Sequence, residues 1–129
     1  MPAGALRLGE AAELARRFGA ADVAEHAALC GDEPGDTVPP ALVGALLSCL
    51  LGVHLPGPGT NYLKQSTRFH RDPRVDETVI ARVQVTRLRP EKSLVDLATT
   101  CLGEDGRVLA EGRALVRWDG PETRANDGA

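Results

Sequence analysis

Aromatic side chains are scarce in this chain. Phe18, Tyr62, Phe69 and Trp118 are the whole complement, 3% of the residues. A core must therefore be assembled from Ala, Val and Leu, which dominate the 43% hydrophobic fraction. Cysteine is equally sparse. Cys30, Cys49 and Cys101 are odd in number, far apart, and form no C-x-x-C pair. That usage excludes a disulfide framework and a zinc site, and it fits a reducing cytoplasm. The three thiols are expected as small buried apolar groups. Long apolar runs are missing too. The longest, residues 41–51, falls well short of the roughly 20 residues that span a bilayer. No basic stretch followed by an apolar run opens the chain, so no signal peptide is expected. Positive charge is not in excess: 15 Lys and Arg stand against 18 Asp and Glu, a net charge of −3. Nucleic acid is thereby excluded as a partner, and neither a metal nor a cofactor is expected.

What is present is one domain of ordinary size, 129 residues long, expected over residues 1–119 with a loose Gly- and Pro-containing tail at 120–129. Residues 6–17 have room for a short strand, and Phe18-Gly19 breaks the pattern. Residues 20–29 read as a helix, with Val23, Ala27 and Leu29 toward a core and Asp22, Glu25 and His26 outward. Gly31 is its stop. Thr37 is the expected N-cap of a second helix, whose first turn tolerates Pro39 and Pro40. That helix is apolar on every side up to Leu51, so it is expected to be wrapped by protein, with Gly52 ending it. After a turn-rich link at 55–59 the period changes to two. Val79, Ala81, Val83 and Val85 alternate with polar residues, as do Val108, Ala110, Gly112, Ala114, Val116 and Trp118. Residues 78–88, 93–101 and 107–118 are therefore antiparallel strands, with a weaker one at 60–69 and hairpin turns at 89–92 and 103–106. A long sheet curled around one helix satisfies this order, and its edges invite a partner.

Several stretches carry a family likeness. They are Arg17-Phe18-Gly19-Ala20-Ala21-Asp22-Val23-Ala24, Ala27-Ala28-Leu29, Leu50-Leu51-Gly52, Leu55-Pro56-Gly57-x-Gly59, Tyr62-Leu63-x-Gln65-Ser66 and Phe69. In this series the chain resembles the MaoC-like hot-dog proteins, specifically the (R)-specific enoyl-CoA hydratases and 3-hydroxyacyl dehydratases. The resemblance implies an α+β hot-dog fold, a long antiparallel sheet wrapped around one central buried helix. It also implies a G-D-x-N-P-x-H signature, an overhanging segment, and a His-Gly at the start of the central helix. In that family the Asp and His work on the water that adds across an enoyl thioester, and the Gly amide holds the developing enolate.

Gly31-Asp32 matches the family's Gly-Asp, and Ser48 matches its small polar residue on the central helix. The rest of the signature departs from the pattern. Thr37 stands at the histidine position, the overhanging segment is largely deleted, and Pro39-Pro40 replace His-Gly. Asp32 and Ser48 are thus the candidate catalytic residues, in a vestigial or supporting role. The plainer readings are a loop cap for Asp32 and a hydroxyl bonded back along the helix for Ser48. His54 or His70 is the substitute base in a third reading; both otherwise belong to the surface, as does His26. Lys64, Arg68 and Arg71, within a basic run that includes His70 and Arg74, are candidate substrate-binding residues for the anionic end of an acyl-CoA or acyl carrier protein thioester. Two functions follow. One is a degenerate subunit of a dehydratase or hydratase in fatty-acid, polyhydroxyalkanoate or polyketide-type metabolism, paired with a complete hot-dog partner as a heterodimer. The other is a homodimer that binds or scaffolds an acyl thioester without turnover.

Overall fold

The computed structural model of the chain describes residues 6–119; the expected tail at 120–129 lies outside the described residues. Five strands form one antiparallel sheet: β1 (Ala11–Arg17), β2 (Asn61–Phe69), β3 (Thr78–Arg89), β4 (Leu94–Leu102) and β5 (Val108–Arg117), in the order β1-β3-β4-β5-β2. Two helices precede β2. They are α1 (Ala20–Cys30) and α2 (Pro40–Cys49), the latter prolonged by a π turn, Leu50–His54. The α+β hot-dog architecture expected from the sequence is the one observed.

The alternation in β3 and β4 builds the inner face of the sheet. Val79, Ala81, Val83 and Val85 are buried, as are Val95, Leu97, Thr99 and Cys101, and the register brings Ala81 to Cys101 and Val83 to Thr99. Val43, Leu46, Leu47, Leu50 and Leu51 of α2 and its π turn join the same core. Aliphatic side chains thus fill the interior, as the shortage of aromatics requires. Gly112 in β5 is one place where only glycine fits. A Cβ there would strike the Ser66 carbonyl of the adjoining β2.

Several local expectations are corrected. Leu29 is 86% exposed, although Val23 and Ala27 are buried. At 100° per residue, Leu29 lies about 200° round the helix from Ala27, so the three cannot share a face. Thr37 does not cap α2. The N-cap position is Pro39 and Pro40 opens the helix, because the preset φ of proline suits that first position. Thr37 instead makes an isolated bridge to Arg74. Gly52 does not end the helix, which runs on through the π turn, with the Leu55 amide donating to the Leu50 carbonyl at 2.9 Å. Val108 is exposed and Leu109 buried, because a bulge opposite Cys101–Leu102 inserts Leu109 as an extra residue and shifts the alternation by one. Nor is α2 wrapped on every side. Ala41, Ala45, Ser48 and Cys49 are exposed; the sheet covers one flank of the helix, and small side chains leave little apolar area on the other.

Candidate active site

α1 ends on a left-handed Gly31, at φ 72°. The Gly31 amide donates to the Ala28 carbonyl and the Asp32 amide to the Ala27 carbonyl, at 3.3 and 2.8 Å. This glycine-terminated cap turns the chain away from the helix and sets Asp32 at its end. The Asp32 carboxylate is exposed and accepts a hydrogen bond from the Glu33 amide at 2.9 Å. From there the link to α2 is short. Backbone bonds from Val38 to Pro73 (2.7 Å) and from Val75 to Asp36 (3.0 Å) tie it to the strand-like 73–75 segment. Thr37 is exposed within that tie. Pro39 and Pro40 follow, and neither has an amide hydrogen, so the first turn of α2 offers no donor at those positions.

Ser48 is exposed on α2, and its hydroxyl makes no hydrogen bond among the described residues, so it does not bond back along the helix as the plainer reading held. No hydrogen bond joins it to Asp32. His54 is exposed at the end of the π turn. His70 lies elsewhere: its Nε2 meets the Glu111 carboxylate at 2.9 Å, on the outer side of the sheet, with the strands between it and α2. Within α1, His26 Nε2 lies 3.8 Å from Cys30 Sγ. Cys30 and Cys49 are exposed, against the expectation of buried thiols, and only Cys101 is enclosed. Burial pushes the Cys101 thiol up to about 12.

The basic run divides between two places. Lys64 and Arg68 point outward from β2, opposite Leu115 and Glu111 of β5. Arg71 turns instead into a clasp. Its guanidinium donates to both oxygens of Glu77 at 3.2 and 3.1 Å, and it lies 3.7 Å from Asp105. Glu77 also accepts the amides of Arg74 and Glu104, while the Glu104 carboxylate accepts the Thr78 amide. The Arg71 hydrogen bonds hold the Glu77 carboxyl down at about 2, against the opposing effect of burial. This clasp fastens the segment before β3 to the β4–β5 turn. Sequence reading missed it, although the opposite charges at 71 and 77 are its only local signal.

An apolar groove of about 520 Å³ lies between β1, α1 and α2. Its walls include Leu14, Phe18, Leu42 and Leu46, with Leu29 and Cys49 at the lip. Among the described residues no group of three or more His, Cys, Asp or Glu side chains is placed to hold a metal ion. No described helix is long and apolar enough to cross a membrane.

No family model matches the chain. Its sequence is nevertheless 37% identical, over 132 aligned residues, to an (R)-specific enoyl-CoA hydratase of Aeromonas caviae, covering 91% of this chain and 98% of that protein. The chain belongs to the (R)-specific enoyl-CoA hydratase family. The solved (R)-hydratase from A. caviae, described as involved in PHA biosynthesis, superposes on it with a TM-score of 0.82 at 36% identity, covering 90% of this chain and 99% of that one. An R-hydratase from Pseudomonas aeruginosa, in its unliganded form, gives 0.80 at 28% identity, over 88% and 82%. At 12% identity the ChsH1–ChsH2 complex of Mycobacterium tuberculosis shares the hot-dog fold, with a TM-score of 0.73 over 87% and 98%. The alignment with the A. caviae hydratase is longer than this 129-residue chain, so this family member is interrupted by gaps against that relative.

Proposed function

We propose that this chain is the degenerate subunit of a (3R)-hydroxyacyl-thioester dehydratase, or enoyl-thioester hydratase, that works beside a catalytically complete hot-dog partner. Such a pair fits fatty-acid, polyhydroxyalkanoate or polyketide-type metabolism. The single observation that carries the reading is Pro40 at the first position of α2. The family's helix start holds the thioester carbonyl through an amide hydrogen, and proline has none. Losing one such donor costs on the order of 3 kcal/mol of transition-state stabilisation. The base is wanting as well, because Thr37 occupies the histidine position and does not ionise near neutral pH. In a mixed pair the partner supplies Asp, His and amide. This chain supplies the paired sheet and part of the wall along which the acyl group lies, with Asp32 and Ser48 in supporting positions. Lys64 and Arg68, on the outer face of β2 away from α2, are the proposed contacts for the anionic end of a CoA or acyl carrier protein thioester, while Arg71 positions the neighbouring segment through Glu77. The three free cysteines suit a reducing cytoplasm.

The test is crotonyl-CoA hydration by the purified chain. Turnover is expected to be negligible. Turnover within tenfold of an ordinary family member, unchanged in Asp32→Ala, would overturn the reading. Absence of turnover together with tight acyl-thioester binding by a stable homodimer would favour the non-catalytic acyl-binding role instead.

A further inference from the structure

We propose that the outer face of β2 and β5 docks an acidic helix of a carrier protein. The proposal rests on the acyl-thioester reading above. Of the two anionic ends named there for Lys64 and Arg68, it selects the protein and sets aside the nucleotide.

Strand register gathers three cations on this face. Ala114 and Val116 of β5 are buried on the inner face, so Arg113, next to Ala114, points outward. Arg113 stands opposite Ser66, and Lys64 and Arg68 lie two residues to either side of Ser66 on β2. Such diagonal neighbours are roughly 7–8 Å apart. All three cations are exposed, and none of their side chains has an ion pair or hydrogen bond among the described residues. The acids of this face are engaged. Glu111, the carboxylate that lines the same hollow, is bonded to His70 at 2.9 Å. Asp96 is paired with Arg89 at 2.7 Å and Glu13 with Arg82 at 2.9 Å. Free positive charge is thus concentrated here, although the chain as a whole carries −3.

Spacing selects the kind of partner. Lys64 and Arg68 are four residues apart on one strand, roughly 13 Å at 3.3 Å per residue, too far for one phosphate to bridge. An α-helix with carboxylates at i, i+4 and i+8 sets them about 6 Å apart over about 12 Å. That row matches cations that zigzag along the same length. The floor between them suits a helix as well. Ser66, Ala98 and Thr100 are small, and the hollow they line holds about 400 Å³ and is open to solvent. A nucleotide base finds nothing to stack on. Tyr62 and Phe69 lie opposite the buried Val116 and Ala110, hence on the other face of β2. Phe18 is in the core, and Trp118 donates to the Pro58 carbonyl. Docking on the side of the sheet away from α2 also leaves the groove beside α1 and α2 uncovered.

The test uses the full chain and an apo acyl carrier protein, which has the protein surface without the pantetheine arm. Binding is read by fluorescence anisotropy of the labelled carrier, with CoA as competitor. The carrier is expected to bind, and more weakly as salt rises. Arg68→Glu and Arg113→Glu are each expected to weaken binding at least tenfold, and Arg113→Gln by less. Arg107→Glu makes the same charge change on the exposed β4–β5 turn and is expected to stay within twofold of the parent. Thermal melts check that each variant folds, and Arg113→Gln carries the test should a reversed charge disturb the sheet. Millimolar CoA is expected to leave the complex intact. Displacement of the carrier by CoA would assign the cations to nucleotide phosphates and overturn the proposal. Equal losses in Arg107→Glu and Arg113→Glu would reduce the effect to net charge, with the same consequence. A carrier that fails to bind while acyl-CoA still does would overturn the proposal and leave the acyl-thioester reading standing. Failure of the carrier and of every acyl-CoA to bind would remove both.

Discussion

Glu77 illustrates how one residue couples chemistry to architecture. Its side chain is 11% exposed, takes two bonds from Arg71 and two from backbone amides, and is held at about 2. The ordinary value is 4.5. A folded-state value below the unfolded one stabilises the fold at pH above the unfolded value, and that contribution is lost as pH falls from about 4.5 to about 2. A displacement of this size is worth roughly 3 kcal/mol, trimmed because Arg71 is 36% exposed. Glu77→Gln is therefore expected to destabilise by roughly 2–3 kcal/mol at pH 6. The difference from the parent should vanish near pH 2. Urea melts of both proteins across that window check it, and a gap that persists unchanged to pH 2 would show that Glu77 acts through packing rather than charge. The same clasp explains why Arg71 behaves differently from Lys64 and Arg68.

α2 is the element on which the core depends. Its buried leucines meet the Val-rich faces of β3 and β4, in a core whose one buried aromatic side chain among the described residues is Phe18. Truncation of Leu46 or Leu47 to Ala is expected to cost roughly 2–5 kcal/mol. The two should differ. Leu47 is 2% exposed and enclosed, whereas Leu46, at 6%, borders the groove. A side chain beside open space leaves a smaller cavity, so Leu46→Ala should fall at the low end of the range and Leu47→Ala at the high end. Thermal or chemical melts that show both as near neutral would mean that α2 does not anchor the core.

For the whole molecule the open question is what covers its free surfaces. β1 pairs only with β3 and β2 only with β5, so each presents a free edge among the described residues. β2 also exposes Tyr62, Leu63 and Phe69, at 36%, 53% and 39%. A strand edge flanked by apolar side chains invites another chain, and charge placement at the rim discriminates between similar partners. Co-expression with a complete hot-dog protein of the host is expected to yield a mixed dimer with dehydratase activity. Substituting the partner's Asp or His should abolish turnover, whereas Asp32→Asn and Ser48→Ala in this chain should cost less than tenfold. Native mass spectrometry that finds only homodimers, indifferent to every complete hot-dog protein, would count against the mixed pair.

Read alone, the sequence determined the features that depend on short-range periodicity. The alternation in β3 to β5, the apolar run of α2 and the glycine stop at Gly31 sufficed for a long sheet curled around one helix, and the spaced motifs carried the resemblance that implied the family and its hot-dog fold. Those signals repeat over a few residues, so neighbours along the chain carry them. Tertiary structure decided what depends on register and on which elements meet. The bulge that buries Leu109 and exposes Val108 follows from strand pairing. Leu29 and Cys49 become the lip of a groove only because β1, α1 and α2 converge. Arg71 is engaged rather than free because its segment folds back on Glu77 and the β4–β5 turn. His70 is separated from Asp32 and Ser48 by the sheet itself, a relation that no spacing along the chain expresses.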